Sequence, residues 1–135
     1  MTRNIKKLDL VTSLIDRFTF YDFKFITDFR YWIEIDTVNL FDEHNIPMLR
    51  IDFILIRTGA PTYKVTLQFT NVGNLQLASG GAAVQLSLFQ ILDISDRGWD
   101  SYRFHVGDFE EEGRFKFYCN EVEVIAIEEI DLYLV

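Results

Sequence analysis

The chain has 135 residues, of which 49% are hydrophobic and 16% aromatic, so it can bury one core and is too apolar to be disordered. Its net charge of −8 disfavours nucleic-acid phosphates and anionic membranes as partners and favours a basic protein. A single cysteine, Cys119, excludes an intramolecular disulfide, and no run of apolar residues is long enough to span a membrane. Because polar residues also interrupt any signal-like start, we predict one cytoplasmic domain over residues 1–135.

The first predicted element is a short helix over residues 7–18. Apolar side chains in this segment recur at helical spacing and share one face. They are Leu8, Val11, Leu14, Ile15 and Phe18. We expect this helix to cap one end of a sheet, with a partner-binding helix as the alternative.

The most regular stretch, residues 21–36, alternates apolar and charged side chains. Seven of its eight odd-numbered residues are apolar or aromatic, and six of its eight even-numbered residues are charged. Since successive side chains of a strand point to opposite faces, this pattern predicts a strand with one buried and one wet face. The stretch is long for one strand and Thr27 interrupts its apolar side, so we predict a bulge or corner at Thr27 and Asp28.

The rest of the chain reads as further strands separated by turn-forming segments. The weak alternation of residues 84–94 indicates a central strand, and a slip in phase near Val124 and Ile125 indicates a second bulge. Short antiparallel strands in sequence favour a mainly β fold, namely a sandwich or a partly closed barrel of about seven or eight strands with one N-terminal helix. The predicted strands are 49–56, 63–70, 84–94, 101–106, 115–119 and 121–134, with 75–77 as a candidate short strand inside a loop.

No stretch matches a catalytic or metal-binding motif. The glycine-rich residues 79–83 lack the lysine that follows a phosphate-binding loop, and a calcium loop starting at Asp93 would place Arg97 where an oxygen ligand is needed. Neither histidine has a spacing that predicts a zinc site, and Cys119 fits a small buried hydrophobe better than a nucleophile. We therefore predict no catalytic residue, no metal and no cofactor, and a protein that is not an enzyme.

Large and charged side chains instead indicate a protein-interaction surface. Tryptophan and arginine are the residue types that anchor interfaces most often, and carboxylates would meet the basic groups of a partner. The simpler interpretations are that another segment covers Trp32 and that the acidic cluster keeps the domain soluble. The predicted partner-binding residues are Arg30, Trp32, Trp99, Asp108, Glu110, Glu111 and Glu112.

Several segments together resemble a group of small bacterial β-rich proteins of unassigned function. The opening Phe-Ile-Thr-Asp-Phe at residues 25–29, leading into Ile-Glu-Ile-Asp at 33–36, is similar to the aromatic-x-Asp start of that group. Residues 67–72 and 117–124 are similar to later parts of the pattern, although Thr27 stands where histidine is commoner. Some proteins of this kind are toxin-immunity proteins, so the resemblance implies a binding function.

Three hypotheses follow. The first is an immunity-like interaction module that binds a basic toxin or enzyme through its acidic surface. The second is a small-ligand-binding domain, or an enzyme, with a pocket lined by Tyr, Phe and His105. The third is a structural homo-oligomer formed by pairing exposed strand edges.

Overall fold

The computed structural model describes residues 4–35, 45–77, 84–97, 102–109 and 115–131, and it shows two antiparallel β-sheets. The larger sheet has the strand order β5-β1-β2-β3-β9, and the smaller has the order β4-β8-β7-β6. The elements are α1 (Asp9–Thr12), β1 (Phe23–Ile35), β2 (Asn45–Leu55), β3 (Thr62–Thr70), β4 (Gly73–Leu77), β5 (Val84–Gln85), β6 (Phe89–Asp93), β7 (Phe104–Asp108), β8 (Phe115–Cys119) and β9 (Glu121–Ile130), with 3₁₀ turns at Phe20–Asp22 and Ser95–Arg97.

This architecture confirms the predicted mainly β antiparallel fold and decides between its two forms. The described strands form two separate sheets rather than a closed barrel, so the fold is sandwich-like. One short α-helix precedes the strands, as predicted.

The core between the sheets is built from aromatic rings. Phe89 of the smaller sheet lies 4.8 Å from Phe53 and 5.7 Å from Phe23, measured between ring centroids. On the other side of the core, Phe69 and Phe117 meet edge to face at 4.8 Å. Burying such rings is the largest stabilising contribution available to a domain of this size.

β1 contains the predicted bulge, and this bulge sets which side chains reach the core. The register with β2 shifts between Ile26 and Asp28, which leaves Thr27 as the extra residue. A further shift between Phe23 and Phe25 turns Ile26 rather than Phe25 inward, and Ile26 is buried. The second predicted bulge is also present, because the β3–β9 register skips Ile125.

Two predicted elements are shorter than the sequence pattern indicated. The helix covers only Asp9–Thr12. Lys7 and Arg17 have positive φ angles, so no α-helix can extend over the whole predicted segment 7–18. Residues 84–94 form two strands, because the chain crosses from the larger sheet to the smaller one at residues 86–88. The prediction of one central strand there was wrong, and β6 lies at the edge of the smaller sheet.

Candidate protein-interaction surface

The larger sheet has one face on the core and one face away from it. Inward side chains of β2 and β3, such as Leu49, Ile51 and Phe69, are fully buried. We call the charged, polar and aromatic residues on the opposite side the outer face, and none of these side chains is buried. Met48 and Ile54 lie on the same side by register, but both are buried. The outer face comprises Asp28, Arg30, Trp32, Glu34, Arg50, Asp52, Lys64, Thr66, Gln68, Glu123 and Glu128.

An aromatic ring between two guanidinium groups is the most distinctive feature of the outer face. The guanidinium carbon of Arg30 lies 5.1 Å from the centroid of the Trp32 ring, and that of Arg50 lies 5.7 Å from it. Arg30 and Arg50 are directly paired across β1 and β2, which places both cations beside the same ring. Such cation–π contacts contribute about 0.5–1 kcal/mol each at an exposed site, so they hold the tryptophan in place.

Arg50 is fixed from its other side as well. Its Nη2 atom donates a hydrogen bond of 2.5 Å to Oε1 of Gln68, which is its register partner on β3. One row further along, the Thr66 hydroxyl donates to Asp52 at 2.5 Å. The three residues Arg30, Trp32 and Arg50, which we call the Arg–Trp–Arg cluster, therefore stand on a sheet whose polar side chains restrain one another.

The β9 side of the outer face is acidic, and most of its carboxylates are paired with lysines. Lys64 lies 2.9 Å from Glu128, and this hydrogen-bonded carboxylate raises the pKa of the lysine. Lys6 and Lys7 pair in the same way with Glu121 and Glu123. These exposed pairs contribute little to stability, so a partner can exchange its own cations for them at small cost.

Two of the predicted partner-binding residues, Arg30 and Trp32, are thus brought together by the structure. Trp32 is half-buried, and the guanidinium groups of Arg30 and Arg50 lie beside its ring. Arg50 was not predicted. The sequence shows it on the polar side of the next strand, but only the strand register places it opposite Arg30.

Asp108 does not lie on the surface, although the sequence predicted a partner-binding role for it. Only 2% of the residue is exposed, and its two carboxylate oxygens accept hydrogen bonds from the amides of Ser87 and Leu88, at 2.8 and 3.1 Å. The carboxylate therefore anchors the crossover between β5 and β6. A buried anion held by backbone amides is structural, and we do not include it in the interaction surface.

Four predicted partner-binding residues, Trp99, Glu110, Glu111 and Glu112, lie outside the described residues. Their role stays a prediction.

A cleft of about 430 Å³ lies elsewhere, between residues 18–21 and β6. Phe and Tyr side chains line it as the ligand-binding hypothesis expected, but His105 does not, and instead stacks on Tyr118 at 4.6 Å. Asp93 also lines the cleft, and hydrogen bonds from Ser95 lower the pKa of its carboxyl group. Because Ser95 and Asn4 already use both oxygens of Asp93, the carboxylate is occupied structurally.

Cys119 is completely buried, which raises the pKa of its thiol and keeps it protonated. It fills the core as a small hydrophobe, as the sequence predicted. Among the described residues, no three His, Cys, Asp or Glu side chains are arranged to hold a metal ion. No helix in the described ranges is long and apolar enough to cross a membrane.

Comparison with known proteins gives one match. A search of curated proteins and a search of solved structures both find nothing similar to this chain. The family model described as immunity protein PIM8, in contrast, matches residues 14–125, which run from the end of the helical segment into β9 and include the whole outer face except Glu128. This match covers most of the chain and agrees with the immunity-like resemblance of its strand segments. The chain therefore belongs to the immunity protein PIM8 family.

Proposed function

We propose that this protein neutralises a protein toxin by binding it through the outer face of the larger sheet. Family membership supports the general class, an immunity-like interaction module. The observation that carries the proposed location is the Arg–Trp–Arg cluster. It combines the two residue types most enriched at interface anchors on the side of the larger sheet opposite its buried core residues Leu49 and Ile51.

The cluster is suited to anchoring because its side chains are already ordered. Binding normally costs conformational entropy for each long side chain that it immobilises. Here the Trp32 ring and the Gln68 side chain restrain Arg50 before any partner arrives. The partner contributes an apolar group that packs on the exposed part of the ring, and carboxylate or carbonyl oxygens that accept from the guanidinium groups.

Overall charge adds a second, long-range contribution. A chain with a net charge of −8 attracts a basic toxin before contact, which raises the association rate. We place the steering charge on Glu110, Glu111 and Glu112, and the short-range anchor on Trp32. This division of roles separates the two effects experimentally, because steering acts on association and anchoring acts on dissociation.

The experiment is a pull-down from cells of the source organism with the purified protein as bait, followed by a growth-protection assay with the captured partner. A Trp32→Ala bait should lose the partner, because truncating an interface anchor costs about 2 kcal/mol or more, or roughly 30-fold in affinity. The matched control is Tyr21→Ala, which removes an aromatic side chain of 40% exposure from the 3₁₀ turn just before β1. Equal capture by the Trp32→Ala bait would move the interface elsewhere, and a partner that is not toxic would contradict the function.

Kinetics on the captured pair then test the division of roles. The triple substitution Glu110→Lys, Glu111→Lys and Glu112→Lys should slow association about tenfold at low salt and leave dissociation nearly unchanged. Trp32→Ala should show the reverse pattern. If the association rate changes neither with the triple substitution nor with the salt concentration, these glutamates do not steer association.

A further inference from the structure

Two neighbouring rows of the outer face carry opposite charges, and each row consists of two like charges. The strand register sets Asp28 directly opposite Asp52, and two residues further along it sets Arg30 directly opposite Arg50. Two residues of a strand span about 7 Å, so the two rows run side by side across β1 and β2. We call them the acidic row and the basic row. This part of the outer face is therefore patterned in charge rather than uniformly acidic.

The arrangement within each row is unfavourable for the free protein. Like charges directly opposite one another destabilise an antiparallel pair, whereas one arginine and one aspartate in each row would give two favourable pairs. Attraction between the rows offsets part of this repulsion at longer range, but none of the ion pairs among the described residues joins one row to the other. Within that part of the chain, each row therefore keeps charge that no opposite group neutralises in direct contact.

The side chains beside the rows hold them in place without neutralising them. Gln68 accepts a hydrogen bond from Arg50, and Thr66 donates one to Asp52, so both contacts come from uncharged groups of β3. Lys64 is paired with a carboxylate of β9, which is the main cause of its raised pKa, and the acidic row adds a smaller contribution from further away. The rows are therefore ordered in the free protein while their charges stay available.

Both rows can be reached from solvent. Asp28 and Arg30 on β1 are exposed, and Asp52 and Arg50 on β2 are half-buried. A partner that brings an opposite charge to each row replaces the repulsion within it by attraction, so the gain is realised only on binding.

We propose that the toxin meets the two rows with one acidic and one basic side chain about 7 Å apart on a single segment. The acidic side chain lies between Arg30 and Arg50 and accepts hydrogen bonds from both guanidinium groups, while the basic one lies on the acidic row. Residues two apart on a strand or four apart on a helix have this spacing. The inference rests on the proposed function, because it specifies the chemistry of the toxin at the interface proposed above.

The basic row separates local matching from overall charge, because the two predict opposite effects. If attraction between an acidic chain and a basic toxin alone governed binding, replacing an arginine by a glutamate would strengthen it. If a carboxylate of the toxin lies between the arginines, the same change sets a negative charge against that carboxylate and weakens binding. One substitution at Arg30 therefore tells the two contributions apart.

Arg30→Glu is the first test, with calorimetric titration of the purified protein against the toxin that the wild-type bait captures. We expect its affinity to fall about 30-fold or more, because a hydrogen-bonded charge of the toxin loses its partner. Lys116→Glu is the matched control, since it makes the same change in net charge on β8 of the smaller sheet and should leave affinity unchanged or slightly higher. Equal or tighter binding by Arg30→Glu would overturn the proposal. Arg30→Gln, which only removes the charge, repeats the test should Arg30→Glu melt at a lower temperature.

Charge exchange with the toxin identifies the matching residues. Reversing one acidic residue of the toxin to arginine should recover at least tenfold of the affinity lost in Arg30→Glu. Asp28→Lys should likewise weaken binding, and reversal of a basic residue of the toxin to glutamate should restore it. If no acidic residue of the toxin rescues Arg30→Glu, the arginine acts only by holding Trp32 and the proposed charge match is wrong.

The outcomes also separate this inference from the proposed function. Loss of the toxin by Trp32→Ala but not by Arg30→Glu would keep the interface on the outer face and refute the charge match alone. Unchanged binding by both variants would move the interface elsewhere, and failure to capture any toxin would contradict the function itself.

Discussion

Residues 23–26 of β1, its near half, and residues 28–35, its far half, belong to one strand with one alternating pattern, yet they have opposite surroundings. Phe23 and Ile26 in the near half are 1% and 5% exposed, and Ile26 pairs with both β2 and β5. Ile33 and Ile35 in the far half are 43% and 63% exposed. The alternation of apolar residues therefore specifies a two-faced strand, and the position of the second sheet decides which part of that strand is buried.

The largest loss of stability is expected from a change in the aromatic core that packs on the near half. Phe89→Ala removes a ring that touches Phe20, Phe23, Phe53 and Phe115 and leaves a cavity at the centre of the sandwich. The free energy of unfolding should fall by about 3–5 kcal/mol, measured by urea denaturation. A loss below about 1 kcal/mol would mean that the near half is not held by this aromatic cluster.

A smaller loss of stability is expected from Asp108, whose carboxylate holds the crossover between β5 and β6. Asp108→Asn keeps the size of the side chain but replaces one acceptor oxygen with an NH₂ group that faces a backbone amide. We expect unfolding to become easier by about 2–3 kcal/mol, because hydrogen bonds to a charged acceptor are lost in a buried place. Asp96→Asn, an exposed aspartate, is the control and should change stability little. If the two variants melt alike, Asp108 does not anchor the crossover.

A pH-dependent effect is expected at Asp93, which ties residue Asn4 to the smaller sheet. The Ser95 hydrogen bonds lower the pKa of this carboxyl group in the folded protein. The ionised carboxylate therefore contributes to stability above the ordinary aspartate pKa of about 3.9, and this contribution is lost as the pH falls through the lower pKa of the folded state. Asp93→Asn should therefore reduce stability at neutral pH and show a shallower decline on acidification. Melting temperatures measured from about pH 6 to pH 2 test this, and identical pH profiles would contradict it.

The smallest effect on folding is expected in the far half. Ile35→Ser removes an apolar side chain that is already mostly in water, so at low protein concentration the free energy of unfolding should change by less than about 0.5 kcal/mol. Ile26→Ser is the matched change in the near half and should cost several times more, because Ile26 is buried. Equal losses at the two positions would remove the distinction between the halves.

The alternation of apolar and polar residues, and the interruptions in it, were enough to predict two β-bulges in the larger sheet. The bulge at Thr27 was predictable because a polar residue interrupted an apolar row, and the bulge at Ile125 was predictable from a slip of phase. The two separate strands at residues 84–94 were not, because apolar residues on both sides of the chain hide the point where it passes from one sheet to the other.

The candidate site was predictable only in part, for a related reason. Trp32 and Arg30 stand out on the charged side of one strand, but Arg50 joins them through a register that sequence alone does not supply. Asp108 was misplaced because an aspartate beside a glutamate run looks like part of a solvated turn, and its two backbone donors lie about twenty positions away in the chain.

The bridge between the Lys6 segment and β9 has a consequence for how the chain folds. This bridge is parallel, whereas the named strand pairs of the described residues are antiparallel, and the Lys6–Glu121 ion pair beside it joins positions 115 apart. Contacts of such sequence separation form late, since the loop entropy must be overcome before the contact contributes. A growing chain on the ribosome therefore cannot pair the edge of β3 until β9 has emerged.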